Sequence, residues 1–353
     1  MKKASPLRGM ILLFLVSGSF FFSCGQEPIF YEISLEEELV PPRISGTPTN
    51  IVLFDQKMYV AGERLHQYAP WTTSIPQPKG KISSLAATDT HLYALTGELS
   101  GTRLYRKAKN SDAWVEIIKH ERYPILQNIY GDSTRLFVGA QNRTTGPYAI
   151  LYDQGGKLTL LKEDTKLLKG AVLDGNHLIA TLGDGIFALS DSSMVFPQNP
   201  VSGTEGKSFS GLIHTGSAVV AVSRNGIVYS GNAGGFAEKA QGDLTFTGAL
   251  ALGTWGGNTL LLLGVQGGKG AGGYREILLS GDSWKIRTPG EDETSSVSNK
   301  EKYHSSIANH PVNHIFQVPA GLDSAMTLFA STQKDGLWSY RRRGGEGQWN
   351  REP

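Results

Sequence analysis

Short apolar runs alternate with Gly/Asp/Asn turns along almost the whole chain, and the order of run, turn and run recurs seven times. The second and third runs of each copy are the most regular. Lys57-Met58-Tyr59-Val60-Ala61 leads to Leu65-His66-Gln67-Tyr68, and His91-Leu92-Tyr93-Ala94-Leu95 leads to Arg103-Leu104-Tyr105. The pair returns near Leu136, Leu178, Val219, Leu260 and Leu328. Apolar runs of this length bounded by turn residues read as strands, and a spacing of roughly 35 to 45 residues is that of a four-stranded propeller blade. So small a unit cannot cover both faces of its own sheet, so each must share a core with its neighbours. The pattern predicts an all-β fold, a seven-bladed β-propeller of four-stranded antiparallel blades near 46–80, 81–119, 120–163, 164–200, 205–240, 241–288 and 303–353. No long amphipathic helix competes; Ser34–Leu39 is too brief to stand alone.

The first run of each copy opens on a polar residue: Thr49, Ser83, Gln127, Lys169, Ser210, Thr247 and Gln317. In six copies the next residue is small or polar, as crowding of inner strands around an axis requires. These seven residues are the candidates for lining the central channel or its mouth. The last copy departs from the pattern at Val318-Pro319, which predicts a short or bent inner strand.

The fourth run carries aromatic residues: Trp71, Trp114, Phe236, Trp284 and Trp349. Ser230-Gly231-Asn232-Ala233-Gly234-Gly235-Phe236 and Ser280-Gly281-Asp282-Ser283-Trp284 resemble the Asp-box turn of BNR-repeat propellers, a group holding both sialidases and non-catalytic modules. The resemblance implies a turn between the two outer strands and an aromatic wedge between blades. Asp184-Gly185-Ile186-Phe187 and Asp335-Gly336-Leu337-Trp338 are similar to steps in Kelch and regulator-type propellers.

Composition fits many short strands and tight turns: Gly is 43 of 353 residues and charged residues are 19%. The amino terminus stands apart. Lys2, Lys3 and Arg8 precede an apolar core that ends in Phe21-Phe22-Ser23-Cys24, the layout of a secretory signal peptide over 1–23. The tetrad resembles a relaxed bacterial lipobox, which implies lipidation of Cys24, the chain's only cysteine. Removal of 1–23 takes three positive charges away, and the formal net moves from +2 to −1. Residues 24–45, with Glu36-Glu37-Glu38 and Pro41-Pro42, read as a tether. Within it Ile29–Ile33 reads as an extra strand. The outermost place of the last blade falls either to that strand or to Gln348–Arg351, with the C-terminal run favoured.

Chemical signatures are sparse. His304, His310 and His314 match no metal-site spacing, and Gly264–Gly270 lacks the Walker ending, so no metal or cofactor is expected. Arg341-Arg342-Arg343 reads as a solvated turn, and the near-neutral charge and export signal point away from nucleic acid. A sialidase-type enzyme would need three arginines around one carboxylate. The inferred inner strands hold none, and only Arg122, Arg143 and Arg224 could reach one face from loops. The leading expectation is a lipid-anchored module of the bacterial envelope that binds a protein, peptide or glycan without catalysis. The alternative is a glycan-cleaving propeller.

Overall fold

The computed structural model describes residues 44, 48, 50–68, 71–98, 101–190, 195–267, 271–280, 284–291, 295–297, 307–319, 322, 326–333, 336–342 and 349–352. Cys24, the signal peptide, Ile29–Ile33, Thr49 and His304 lie outside them. The chain is a seven-bladed β-propeller, and each blade is an antiparallel meander of consecutive strands. Blade 1 is Ile51–Phe54, Lys57–Ala61 and Leu65–Tyr68; blade 2 is Lys81–Ala87, His91–Glu98, Gly101–Ala108 and Trp114–Glu116; blade 3 is Ile125–Gly131, Leu136–Gln141, Tyr148–Gln154 and Lys157–Thr165. Blade 4 is Gly170–Asp174, His177–Leu182 and Gly185–Ser190, and blade 5 is Phe209–His214, Val219–Ser223, Ile227–Asn232 and Gly235–Gln241. Blade 6 is Phe246–Trp255, Asn258–Val265 and Tyr274–Leu278, and blade 7 is Val312–Gln317, Met326–Thr332, Leu337–Arg342 and Trp349–Arg351.

The fourth run of blades 1, 4 and 6 is reduced. It survives as the bridges Gln67 to Thr72 and Glu276 to Arg287, and in blade 4 as the bond from Val201 N to Ile186 O, 2.7 Å.

Seven buried apolar clusters hold the ring, and every one spans the seam between two adjacent blades. Side chains alternate across a strand, so a second strand feeds two seams. Leu92 and Ala94 of blade 2 pack toward blade 1, while Tyr93 and Leu95 pack toward blade 3. A strand covered on both faces must be apolar at every position, which explains the unbroken run of Leu260–Leu263. Each fully buried aliphatic or aromatic side chain contributes about 1.5–3 kcal/mol.

The fourth-run aromatics fill the same seams. Trp71 lies between blades 7 and 1, Trp114 between 1 and 2, Phe236 between 4 and 5, Trp284 between 5 and 6, and Trp349 between 6 and 7. Trp114 also donates from its indole to Pro76 O, 2.9 Å.

Blade 7 closes the circle with four strands of its own, and Trp349–Arg351 is the outermost. The inner strand of this blade is Val312–Gln317, five residues earlier than its Gln317-Val318-Pro319-Ala320 expectation. Gln317 therefore ends the strand instead of opening it. The insertion before blade 7 is also not simply a surface loop: Ser295, Ser296, Val297, Ile307 and Ala308 are buried, and the last three belong to the seam between blades 6 and 7.

Candidate functional site

A meander places the beginning of every inner strand, together with the turns between second and third strands, on one face of the ring. Near that start, five inner strands slip register: between Ile82 and Ser84, Leu126 and Asn128, Phe209 and Gly211, Phe246 and Leu250, and Val312 and His314. A bulge of this kind leaves an extra residue outside the ladder and disturbs its hydrogen bonds. Four of the polar residues expected to line the channel, Ser83, Gln127, Ser210 and Thr247, occupy these bulges, and the two serines bond the ladder itself. Ser83 Oγ donates to Leu95 O at 3.1 Å and Ser210 Oγ to Val222 O at 3.2 Å, the same bond in blades 2 and 5. Gln127 Nε2 reaches Gln141 Oε1 at 3.1 Å, and Thr247 Oγ1 crosses to Val312 O of the next blade at 2.6 Å.

Lys169 directly precedes the inner strand of blade 4 and donates from Nζ to Ser208 Oγ, 3.1 Å. Gln317 stands at the opposite end of the ring, where its amide brackets Thr254 of blade 6, accepting from N at 2.6 Å and donating to O at 3.3 Å. The structure thus groups Ser83, Gln127, Lys169, Ser210 and Thr247 on one face and separates Gln317 from them. The blade 7 residue at the bulge is Asn313, which the sequence reading missed. The signal that finds it is the apolar-polar-x-apolar step shared by Ile82-Ser83-Ser84-Leu85, Leu126-Gln127-Asn128-Ile129 and Val312-Asn313-His314-Ile315.

The position after the bulge clasps the next blade. Asn50 Oδ1 accepts from Leu85 N at 2.8 Å while its amide donates to Leu85 O, and Asn128 Nδ2 donates to Leu168 O. In blades 5 and 6 this position is Gly211 and Gly248, and backbones meet there: a Cβ on Gly211 would stand 2.4 Å from Gly248 O, and one on Gly248, at φ +94°, 2.2 Å from Ser210 O. In blade 7 it is His314, whose imidazole is buried, which lowers its pKa to about 4, and whose Nδ1 is unpartnered.

The three arginines proposed for carboxylate binding come from blades 3 and 5. Arg122 is ion-paired with Glu163 at 2.6 Å and lies over the Tyr123 ring, and Arg143 is on the second-to-third turn of blade 3. Arg224 is on the corresponding turn of blade 5, with blade 4 between them. His310 stacks on Trp338, ring centroids 5.0 Å apart, and no group of three metal-ligating side chains occurs among the described residues.

A cavity of about 440 Å³ opens between blades 5 and 6, lined by Asp243, Arg275, Trp284, Lys285, Arg287 and Glu291 among others. Its charges are of both signs. Arg275 is turned to the carbonyls of Gly272 and Tyr274 at 3.2 and 2.9 Å, and Arg287 lies 4.0 Å from the buried Glu276. The resembling Asp-box turn, Ser230–Phe236, does join the third and fourth strands of blade 5; Asn232 Oδ1 accepts from Gly234 N at 2.8 Å and Phe236 is buried in the seam.

No family model and no curated protein matches the chain. Solved structures share the fold. The extracellular domain of a B. thetaiotaomicron protein assigned as a hybrid two component system aligns with 14% identity and a TM-score of 0.51 over 83% of this chain. PorZ, a bacterial surface component of the type-IX secretion system of Porphyromonas gingivalis, aligns with 12% identity and a TM-score of 0.53 over 88%. A GH74 xyloglucanase from Xanthomonas campestris aligns with 11% identity and a TM-score of 0.57 over 87%. The chain spans 38% of the length of each of the first two and 54% of the third.

Proposed function

We propose that this chain is a lipid-anchored propeller of the bacterial envelope that acts as a non-catalytic binding or assembly module for a protein, peptide or glycan. The observation that carries this reading is the engagement of Ser83, Ser210 and Thr247 at the starts of the inner strands in backbone bonds of the ring itself. Ser83 and Ser210 each hold a carbonyl of their own sheet, so the wall of the ring is scaffold, and recognition falls to the loops around its mouths. A catalytic site would instead gather reactive groups within reach of one another, and of the three candidate arginines Arg122 is already paired with Glu163.

The anchor rests on Phe21-Phe22-Ser23-Cys24, which follows a basic and apolar leader. Among the described residues no helix is long and apolar enough to cross a membrane. An extracellular domain and a surface component among the structures of similar fold support an envelope location, whereas the xyloglucanase leaves the choice between binding and hydrolysis open. The turn at Ser230–Phe236 supports kinship with Asp-box propellers.

The test has two arms. Metabolic labelling with a fatty-acid analogue should mark the native chain and not Cys24→Ala, and the variant should leave the membrane fraction; undiminished labelling of the variant would sink the anchor. Affinity capture of the lipidated chain from envelope extracts should then recover a defined partner, and turnover of fluorogenic glycosides by the pure protein would replace the binding reading with an enzymatic one.

A further inference from the structure

The two faces of the ring differ in charge. On the face where inner strands begin, the connections and second-to-third turns of blades 1 to 3 carry Arg64, Lys79, Lys81, Lys119, Arg122 and Arg143, and those of blades 4 and 5 carry Lys166, Lys169, Lys207 and Arg224. Against these ten stand Glu63, Glu98, Glu121, Asp184, Glu205 and Asp243 in the same segments, and Glu116 and Glu163 near the adjoining ends of the outer strands, where they pair with Arg103 and Arg122.

The ion pairs leave most of these cations uncompensated. Arg122 is bound to Glu163, whereas Lys119, Lys169 and Lys207 donate to Thr102 O, Ser208 Oγ and Gly203 O and keep their charge. Lys79, Lys81, Arg143, Lys166 and Arg224 are exposed. On the far face of blades 1 to 3 cations and acids pair with each other, Lys109 with Asp55, Arg135 with Asp132, Arg106 with Asp153 and Lys107 with Asp112.

Two further observations say what such a face fits. The cations are spread over five consecutive blades, which makes a broad, shallow basic surface instead of a pocket for one small anion. The chain also enters the ring on this face, because Asn50 stands immediately before the inner strand of blade 1. We infer that the start face is apposed to an anionic lipid surface, where Lys and Arg side chains meet headgroup phosphates and leave the far face, with His91, His177 and His214, open to a partner. Delivery of the ring to the bilayer rests on the anchor proposed above; the charge complementarity does not.

All seven seams fall within residues 44–352, and Pro42–Glu352 form a compact unit of their own. The chain from Gly25 onward, without lipid, is therefore the form to test. In co-sedimentation it should bind phosphatidylcholine vesicles containing phosphatidylglycerol and ignore pure phosphatidylcholine, with binding lost at high salt, since each basic residue near an anionic surface is worth roughly fivefold in partitioning. Lys79→Glu/Lys81→Glu/Lys166→Glu should lower that partitioning by more than tenfold, while the matched far-face set Lys57→Glu/Lys109→Glu/Lys157→Glu leaves it near the starting value; circular dichroism checks that both fold. Equal binding to the two vesicle types, or equal loss from the two sets, overturns the inference. Binding to poly-glutamate without binding to anionic vesicles also overturns it and assigns the face to an acidic protein. Because no acyl chain takes part, these results stand apart from acyl labelling of Cys24, which tests the anchor alone.

Discussion

Between blades 7 and 1 the ring is held by side chains drawn from its two ends, whereas between blades 6 and 7 an insertion delivers the partners. At the closing seam, Trp71 Nε1 donates to Glu352 Oε2 at 3.0 Å across 281 positions of sequence, Arg341 pairs with Glu352 Oε1 at 3.1 Å, and Phe329 packs edge-on to Tyr68 and Trp71. At the neighbouring seam, the fully buried Glu276 accepts from Ser295 Oγ and Ser296 N, each 2.9 Å away, and from Ser296 Oγ, all within 20 residues. A buried carboxylate is tolerated when its hydrogen bonds come with it. The comparison teaches that a local insertion can solvate an interior charge, while closure depends on groups that meet only after the intervening blades are built, at the entropy cost of a long loop.

The largest effect should come from Phe329→Ala, which opens a void among Tyr68, Trp71 and Leu337 and destabilises by about 3–5 kcal/mol. If closure follows the folding transition state, this loss appears as faster unfolding with refolding nearly unchanged. Leu262→Ala, in the seam between blades 6 and 7, should slow refolding more. Urea chevrons measure both, and equal partition of the two losses would erase the distinction drawn between the seams.

Acid should act next most strongly, through His314. Burial lowers its pKa from 6.5 to about 4, so the folded state holds the ring neutral while the unfolded chain takes up a proton. Its contribution is complete above pH 6.5 and is lost as pH falls toward 4, about 3 kcal/mol in all. His314→Asn places there the residue that blades 1 and 3 use, Asn50 and Asn128, and should flatten stability between these limits. A retained acid slope in the variant would assign it elsewhere.

The second strands were legible in the sequence because both of their faces are buried. Tyr59, Leu92 and Val220 sit in unbroken apolar runs that no half-exposed strand would show. The aromatic wedges were implied by the resemblance to Asp-box turns, and Trp71 and Trp349 do lie where a blade meets its predecessor. The inner strand of blade 7 was passed over, because the conspicuous Val318-Pro319 drew the reading past the Val312-Asn313-His314-Ile315 step, which the register slip at Asn313 identifies as the true copy. The role of Ser295 and Ser296 was hidden for a different reason: a polar tract reveals nothing of a buried acid lying 19 to 20 positions before it. Repeats report the blades, and the departures from repetition need coordinates.

A smaller loss should follow Ser296→Ala. It removes the hydroxyl shared by Glu276 and Tyr274, and a hydrogen bond to a charged group is worth about 1.5–3 kcal/mol. Desolvation raises the pKa of Glu276 above 4.5 against the pull of Ser296, Ser295 and Arg287. The folded state therefore keeps its proton to higher pH than the unfolded chain, and this group's contribution falls as pH rises from 4.5 through the folded value. Ser296→Ala should extend that decline to higher pH, and Glu276→Gln should abolish it. Thermal melts across the range would show the opposite sign to the His314 slope; a common sign would mean that one carboxylate or imidazole has been misplaced.

The smallest effect is expected from Glu352→Gln. The amide oxygen can still accept from Trp71, so the bond across the closure survives, and what disappears is the charge facing Arg341, whose side chain is 39% exposed. Water screens such a pair, which limits the loss to about 1 kcal/mol or less. Glu352→Ala removes the acceptor as well and leaves the buried indole N–H of Trp71 without Glu352, a further 1–3 kcal/mol on the order of a lost buried bond. A double-mutant cycle with Arg341→Met separates the two contributions. Coupling near zero in that cycle, together with a full loss in Glu352→Ala, would show that the closing latch is the indole bond and not the ion pair. The seam that joins the chain's ends would then differ from the Glu276 seam in needing an acceptor but no charge.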